Sequence, residues 1–143
     1  MDKAIIYPRP QWLQERPGEA FILAPGMAIV TTESARAEAV QLQRWLAAEH
    51  GLDLEIADAG AAGPGLLVGR LGDEAIERFC RAHGIRLDER EAVPEGYLVD
   101  VAAGHALVAG FDAAGTFYGL QLLRQLAAQG GSPLRVPAVE VPD

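Results

Sequence analysis

One stretch, Glu95 to Gln129 (EGYLVDVAAGHALVAGFDAAGTFYGLQLLRQLAAQ), most constrains what this chain can fold into. Tyr97 to Ala102 and His105 to Ala109 alternate well enough for two strands joined at Ala103-Gly104, and Asp112 is placed to cap a helix running to Gln129. On a helix turning about 100° per residue, Tyr118, Leu120, Leu122, Leu123, Leu126 and Ala127 spread over roughly 200° of the circumference. Covering one face of a sheet needs only about half of that. The remaining wedge holds Gln121, Arg124 and Gln125, with Phe117 among them. Something besides the sheet is therefore expected to cover part of this helix.

Taken from its start, the chain opens with Pro8 and Pro10, which dictate an extended lead-in, and QWLQERPGEAFIL then reads as a short hairpin turning at Pro17-Gly18. Met27 to Thr31 is a further strand. A helix follows from about Glu33 to Glu49, with Thr32 or Ser34 as its N-cap and Gly51 as its stop. Its core stripe is Ala35, Ala39, Leu42 and Leu46, with Trp45 beside it. Leu52 to Ile56 is a strand, Gly60 to Gly65 a flexible loop, and Leu66 to Gly69 a fully apolar strand. The next helix runs from about Asp73 to His83, where Ile76, Phe79, Cys80 and His83 share one face and Gly84 closes it. Ile85 to Pro94 is charged and reads as an exposed loop. After the Gly130-Gly131 stop, Val136 to Val141 is a last strand. Helices joining strands imply parallel pairs and hairpins require antiparallel ones. The fold class is α+β, a two-layer sandwich with a mixed β-sheet and helices mainly on one face.

The length, 143 residues, fits one domain, and a hydrophobic share of 50% removes any need for disulfides or metal to hold it. The formal net charge of −8 excludes a phosphate-backbone partner, because nucleic acid is bound by clustered Lys and Arg and the 12 basic residues here are scattered. No apolar run approaches the roughly 18 residues of a membrane span. The opening residues lack the apolar core of a signal peptide, since Pro8, Arg9 and Pro10 interrupt it. A soluble chain is expected, cytoplasmic or excised from a secreted enzyme.

Chemistry is hard to place on these residues. His50, His83 and His105 stand at two helix ends and near a hairpin turn, outside any zinc-binding frame. Ser34 and Ser132 lie in no nucleophile motif, and Cys80 faces the expected core, where a thiol is inert. Gly60, Gly63 and Gly65 precede a strand where a phosphate loop should follow one. Gly69-Arg70-Leu71-Gly72 does link a strand to a helix, but Asp73 and Glu74 occupy that helix's first turn and repel phosphate. The acid pairs Asp73-Glu74 and Asp88-Glu89 read as helix capping and loop solvation. Gly115 and Gly119, four apart, read as a close approach between helix and sheet. No catalytic residue, cofactor or metal site is expected.

Three blocks carry a resemblance. They are Glu95-Gly96-Tyr97-Leu98-Val99-Asp100-Val101, then Ala113 to Leu126 (AAGTFYGLQLLRQL), then Val136 to Asp143 (VPAVEVPD). With the lead-in Ile5-Ile6-Tyr7-Pro8-Arg9-Pro10 and the helix around Ala39 to Leu46, the chain resembles over nearly its whole length the N-terminal domain of family 20 and family 84 glycoside hydrolases. Those are β-N-acetylhexosaminidases, O-GlcNAcases and hyaluronidase-like enzymes. Leu122 departs from the threonine often found there, and Arg70 to Pro94 is longer and more charged. The resemblance implies that the catalytic carboxylates sit on a (β/α)8 barrel beginning just after Pro142-Asp143. Gly72-Asp73-Glu74 imitates the family's catalytic Gly-Asp-Glu, but in the wrong domain and without the preceding histidine and glycine.

The resemblance thus implies a single non-catalytic N-terminal domain over residues 1–143, whose partner is its own barrel and which meets N-acetylglucosamine-containing glycans through that barrel. Phe117, Tyr118, Gln121, Arg124 and Gln125 are the candidate domain-interface residues. A carbohydrate-binding or protein-interaction module is the rival reading, with Trp12, Trp45 or Phe117 as platforms, although aromatics make up only 6% of the chain. A stand-alone hydrolase is the third.

Overall fold

A computed structural model describes residues 14–15, 20–58, 65–85, 96–128, 135–136 and 138–141. In chain order the strands are β1 (Gln14–Glu15), β2 (Phe21–Ile22), β3 (Ala28–Thr31), β4 (Glu55–Asp58), β5 (Leu66–Arg70), β6 (Tyr97–Ala102), β7 (His105–Gly110), β8 (Arg135–Val136) and β9 (Val139–Val141). The helices are α1 (Arg36–His50), entered through a 3-10 turn at Glu33–Ala35, α2 (Glu74–Ala82) and α3 (Ala113–Ala128). The extended lead-in, Trp12, the Pro17-Gly18 turn, the loop at 60–64, the charged segment at 86–94 and the Gly130-Gly131 stop lie outside the described residues.

Among the described residues, seven strands form one sheet in the order β1-β9-β6-β7-β5-β3-β4, and β2 and β8 form a separate pair. The half from β4 to β7 is parallel and the half from β7 to β1 is antiparallel. The division follows the connections: α1 carries the chain over between β3 and β4, whereas β6 and β7 are joined by the tight turn at Ala103-Gly104. The sheet is therefore mixed, as the pattern of helices and hairpins requires.

Two expectations fail. The strands on either side of Pro17-Gly18 do not pair with each other; β1 pairs with β9 and β2 with β8, each antiparallel. Each is instead placed by a strand from the far end of the chain. The last strand is likewise two, β8 and β9, belonging to different sheets.

Alternation along the strands divides the core. Ile29, Leu66, Val68, Val99, Val101, Ala106 and Val108 meet Ala35, Ala39, Leu42 and Leu46 from the α1 side and Leu120, Leu123 and Leu126 of α3. Each of these buried leucines contributes about 2 kcal/mol relative to exposure. Val30, Leu67, Leu98, Leu107 and Ala109 face the other way, onto Ile76 and Cys80 of α2. Two of the three helices thus share one face, and α2 covers part of the opposite one.

Local chemistry sets the ends. Gly51 closes α1 at φ 62°, and Leu52 N–H bonds Leu46 O at 3.1 Å. Asp112 caps α3, its Oδ1 accepting the Gly115 N–H at 2.8 Å. Thr32 and Ser34 do not cap the first helix; no side-chain bond closes its start, and both hydroxyls reach instead to Asp73.

Candidate functional site

Among the described residues, several for which chemistry could be claimed hold structural roles. Thr32 Oγ1 donates to Asp73 Oδ2 at 2.6 Å, Ser34 Oγ donates to both carboxylate oxygens, and Arg70 N–H reaches Oδ2 at 2.9 Å. Arg70 Nη1 lies 2.6 Å from Glu38 and also donates to Thr116 Oγ1. Thr116 Oγ1 in turn donates to Gly69 O and accepts from Gly110 N–H. The Gly69–Glu74 segment is therefore a polar junction at the carboxyl ends of β3, β5 and β7, tying α1, α2 and α3 together.

On the other face of the sheet, His105 Nε2 lies 2.7 Å from Asp100 Oδ1, and both are buried. Phe79 stacks on His83 with centroids 4.0 Å apart and meets His105 edge-on at 5.1 Å. Cys80 is buried beside them. Burial, with the Asp100 and Glu77 charges adding to it, pushes its thiol up to about 11. A neutral, enclosed thiol is a packing residue.

What remains is the outer face of α3. Leu120, Leu122, Leu123, Leu126 and Ala127 are buried, an arc of about 160° at 100° per residue when Gly115, Thr116 and Gly119 are included. The main sheet covers part of this arc, and α1 and β8, packed alongside, cover more of it. The five predicted interface residues make up the opposite side. Phe117 and Tyr118 are 37% and 41% exposed, and Gln121, Arg124 and Gln125 are half-buried. Tyr118 belongs to this outer side, at the limit of the apolar arc in which its spacing also placed it.

Two features of this face were not visible in the sequence. Arg124 lies over the Trp45 ring of α1, 5.6 Å from its centroid, and His50 meets the same ring edge-on at 4.9 Å. Burial lowers the Arg124 guanidinium from its ordinary value. A groove of about 380 Å³ also runs along the Tyr118 flank, lined by Tyr97, Tyr118, Gln121, Leu122 and Gln125. Trp45 was legible beside the core stripe of α1, and Tyr97 as the start of a strand. Their position beside α3 depends on pairings made across the sheet.

The α3 helix lies this close because Gly115 and Gly119 face β6 and β7. A Cβ on Gly115 would collide with Gly96 O, and one on Gly119 would come within 2.7 Å of Val108 Cγ1. The spacing of these glycines serves helix-on-sheet packing. Among the described residues, no helix is long and apolar enough to cross a membrane.

Comparison with known proteins agrees with this architecture. The family model described as "Glycosyl hydrolase family 20, domain 2" matches residues 3–143. No curated protein sequence matches significantly. Among solved structures, CpGH84D is 17% identical with a TM-score of 0.74, aligned over 100% of this chain and 24% of its own. A glycoside hydrolase family 20 β-N-acetylglucosaminidase is 27% identical with a TM-score of 0.59, over 95% of this chain and 21% of its own. The family 20 β-N-acetylhexosaminidase of Streptomyces coelicolor A3(2) is 25% identical with a TM-score of 0.62, over 95% of this chain and 25% of its own. The chain thus spans about a quarter or less of each of these structures. The α+β sandwich is the fold they share with it, and the chain belongs to glycoside hydrolase family 20 as its domain 2, an accessory domain.

Proposed function

We propose that this domain packs on the (β/α)8 catalytic barrel of a β-N-acetylhexosaminidase and stabilises it, with the outer face of α3 as the contact. In this reading residues 1–143 are one N-terminal, non-catalytic domain whose sequence continues into the barrel. N-acetylglucosamine-containing glycans are met by the barrel and not by this domain. The observation that carries the reading is the outer side of α3, where two adjacent aromatics stand exposed on a helix whose other side is sealed. Exposed aromatics flanked by amides and an arginine have the composition of an interface centre. Asp73, the described candidate acid with the most contacts, is engaged in internal bonds, which supports packing as the function of this domain.

The test uses the full-length enzyme carrying Phe117→Asp together with Tyr118→Asp. Both side chains are partly exposed and lie outside the domain's buried core cluster. The expected result is thermal inactivation of N-acetylglucosaminidase activity at a lower temperature with KM unchanged. An unchanged inactivation temperature overturns the reading.

The groove beside Tyr118 favours a second reading, a carbohydrate-binding module. Its amide and tyrosine lining suits a sugar, but the Phe117 and Tyr118 rings meet at 65° and form no common platform, and Arg124 occupies a Trp45 face. Resonance shifts at Tyr118 and Gln125 on titration with N-acetylglucosamine oligomers would favour it over packing.

A further inference from the structure

The 16 residues of α3 include a single charge, Arg124. Its Nε is buried without a hydrogen-bond partner, and its guanidinium carbon sits over Trp45. The chain carries 20 acidic residues against 12 basic ones, so carboxylates are plentiful. Among the described residues, none pairs with Arg124. Glu38 is held by Arg70, Asp73 by Thr32 and Ser34, Asp100 by His105, and Asp112 caps α3.

Burial lowers this guanidinium, and no acid acts in the opposite direction. A cation partly withdrawn from water with a donor unfilled is unfavourable until a carboxylate reaches it. The position suits such a partner. By helical spacing Phe117 and Gln121 precede Arg124 on the same side of α3, Gln125 follows it, and Trp45 lies beneath. Aromatics around a charge exclude water from the pair that forms there, and a guanidinium lying over an aromatic ring retains donors for a two-point bond to a carboxylate.

We infer that Arg124 is the charged anchor of the α3 face and receives an aspartate or glutamate side chain from the domain that docks there. This rests on the reading of that face as the contact with the catalytic barrel. It goes further in stating the chemistry the barrel must present: an acidic side chain at the centre of an otherwise apolar and amide contact. The partner's acid in turn loses its own solvation on docking, so removing either member leaves the other buried and unpaired.

The test again uses the full-length enzyme. Arg124→Lys places an amine at the anchor, and a carbodiimide then couples it to any carboxylate within bonding distance. Peptide mass spectrometry is expected to find one new amide joining position 124 to an Asp or Glu of the barrel. Arg124→Ala and neutralisation of that acid should each shorten the thermal-inactivation half-life about tenfold, and the double variant no further than either alone. A photo-crosslinking residue at position 118 reports packing independently. Crosslinks from 118 to the barrel with no amide from 124 overturn the anchor and leave the packing intact. No barrel adduct from either position overturns both. An amide to a carboxylate within residues 1–143, or to a second copy of the protein, overturns the anchor as well.

Discussion

Asp73 Oδ2 lies 2.6 Å from Thr32 Oγ1, a bond across the carboxyl ends of β3 and β5 that joins the residue preceding α2, whose side chain makes no capping bond to that helix, to the turn leading into α1. Ser34 and the Arg70 backbone complete the shell around the carboxylate. Three donors on one acid make Gly72-Asp73-Glu74 a fastener, although it reads as a catalytic motif. Asp73→Ala is therefore expected to cost about 2 kcal/mol and Thr32→Val about 1 kcal/mol, because the first strips an acceptor from three donors and the second removes one bond. Urea denaturation measures both. Turnover by the full-length enzyme should be unchanged, and a loss of turnover at intact stability would make Asp73 functional after all.

Gly115 and Gly119 differ in what an added methyl group would meet. At Gly115 it meets the backbone oxygen of Gly96, which is held in the strand layer and also accepts Phe111 N–H at 2.9 Å. At Gly119 it meets Val108 Cγ1, so that a buried side chain, and not backbone, has to shift. Gly115→Ala should destabilise by about 3 kcal/mol and Gly119→Ala by about 1 kcal/mol, even though alanine is the better helix former. Melting temperatures of the two variants check the order, and equal or reversed losses would refute this account of how α3 is seated.

The hairpin, Asp112 and α3 were legible because each is specified by neighbours in sequence: alternation, a two-residue turn, a cap and a helical stripe. The outer face of α3 was legible for the same reason, as the complement of that stripe. Pairing of β1 with β9 and of β2 with β8 was not, since two-residue strands carry no register of their own and are placed by partners more than a hundred residues away. Thr32 and Ser34 have the chemistry of caps, and only the fold brings Asp73 close enough to draw their hydroxyls away. The placement of Arg124 over Trp45 likewise depends on α1 and α3 lying side by side, which follows from sheet order and not from either helix.

Asp100 and His105 meet diagonally across the β6–β7 hairpin, Asp100 standing opposite Leu107 and His105 opposite Ala102 next to the turn, and both are buried. Like their neighbours Phe79 and His83, they lie on the α2 side of the sheet. Asp100→Ala leaves a buried imidazole without its carboxylate and should cost about 3 kcal/mol. His105→Gln keeps a donor toward Asp100 and should cost less. A double-mutant cycle by chemical denaturation separates the pair from its surroundings. A coupling energy near zero would show that the two residues are merely adjacent.

Cys80 gives the fold a predicted pH dependence. Burial, helped by Asp100 and Glu77, holds its thiol near 11 in the folded chain against 9.0 for the free group, so the folded state keeps a proton that the unfolded state releases first. For a group raised on folding, the stabilisation is complete below pH 9.0 and is lost as pH rises toward 11. Stability should therefore fall across that window, and Cys80→Ala should flatten the fall while costing about 1 kcal/mol at neutral pH through the small cavity it leaves. The same burial should keep Cys80 unreactive toward thiol reagents at pH 8 until the chain is unfolded by denaturant. Rapid labelling of the native protein, or an identical alkaline slope in Cys80→Ala, would show that the thiol is not enclosed between α2 and the sheet.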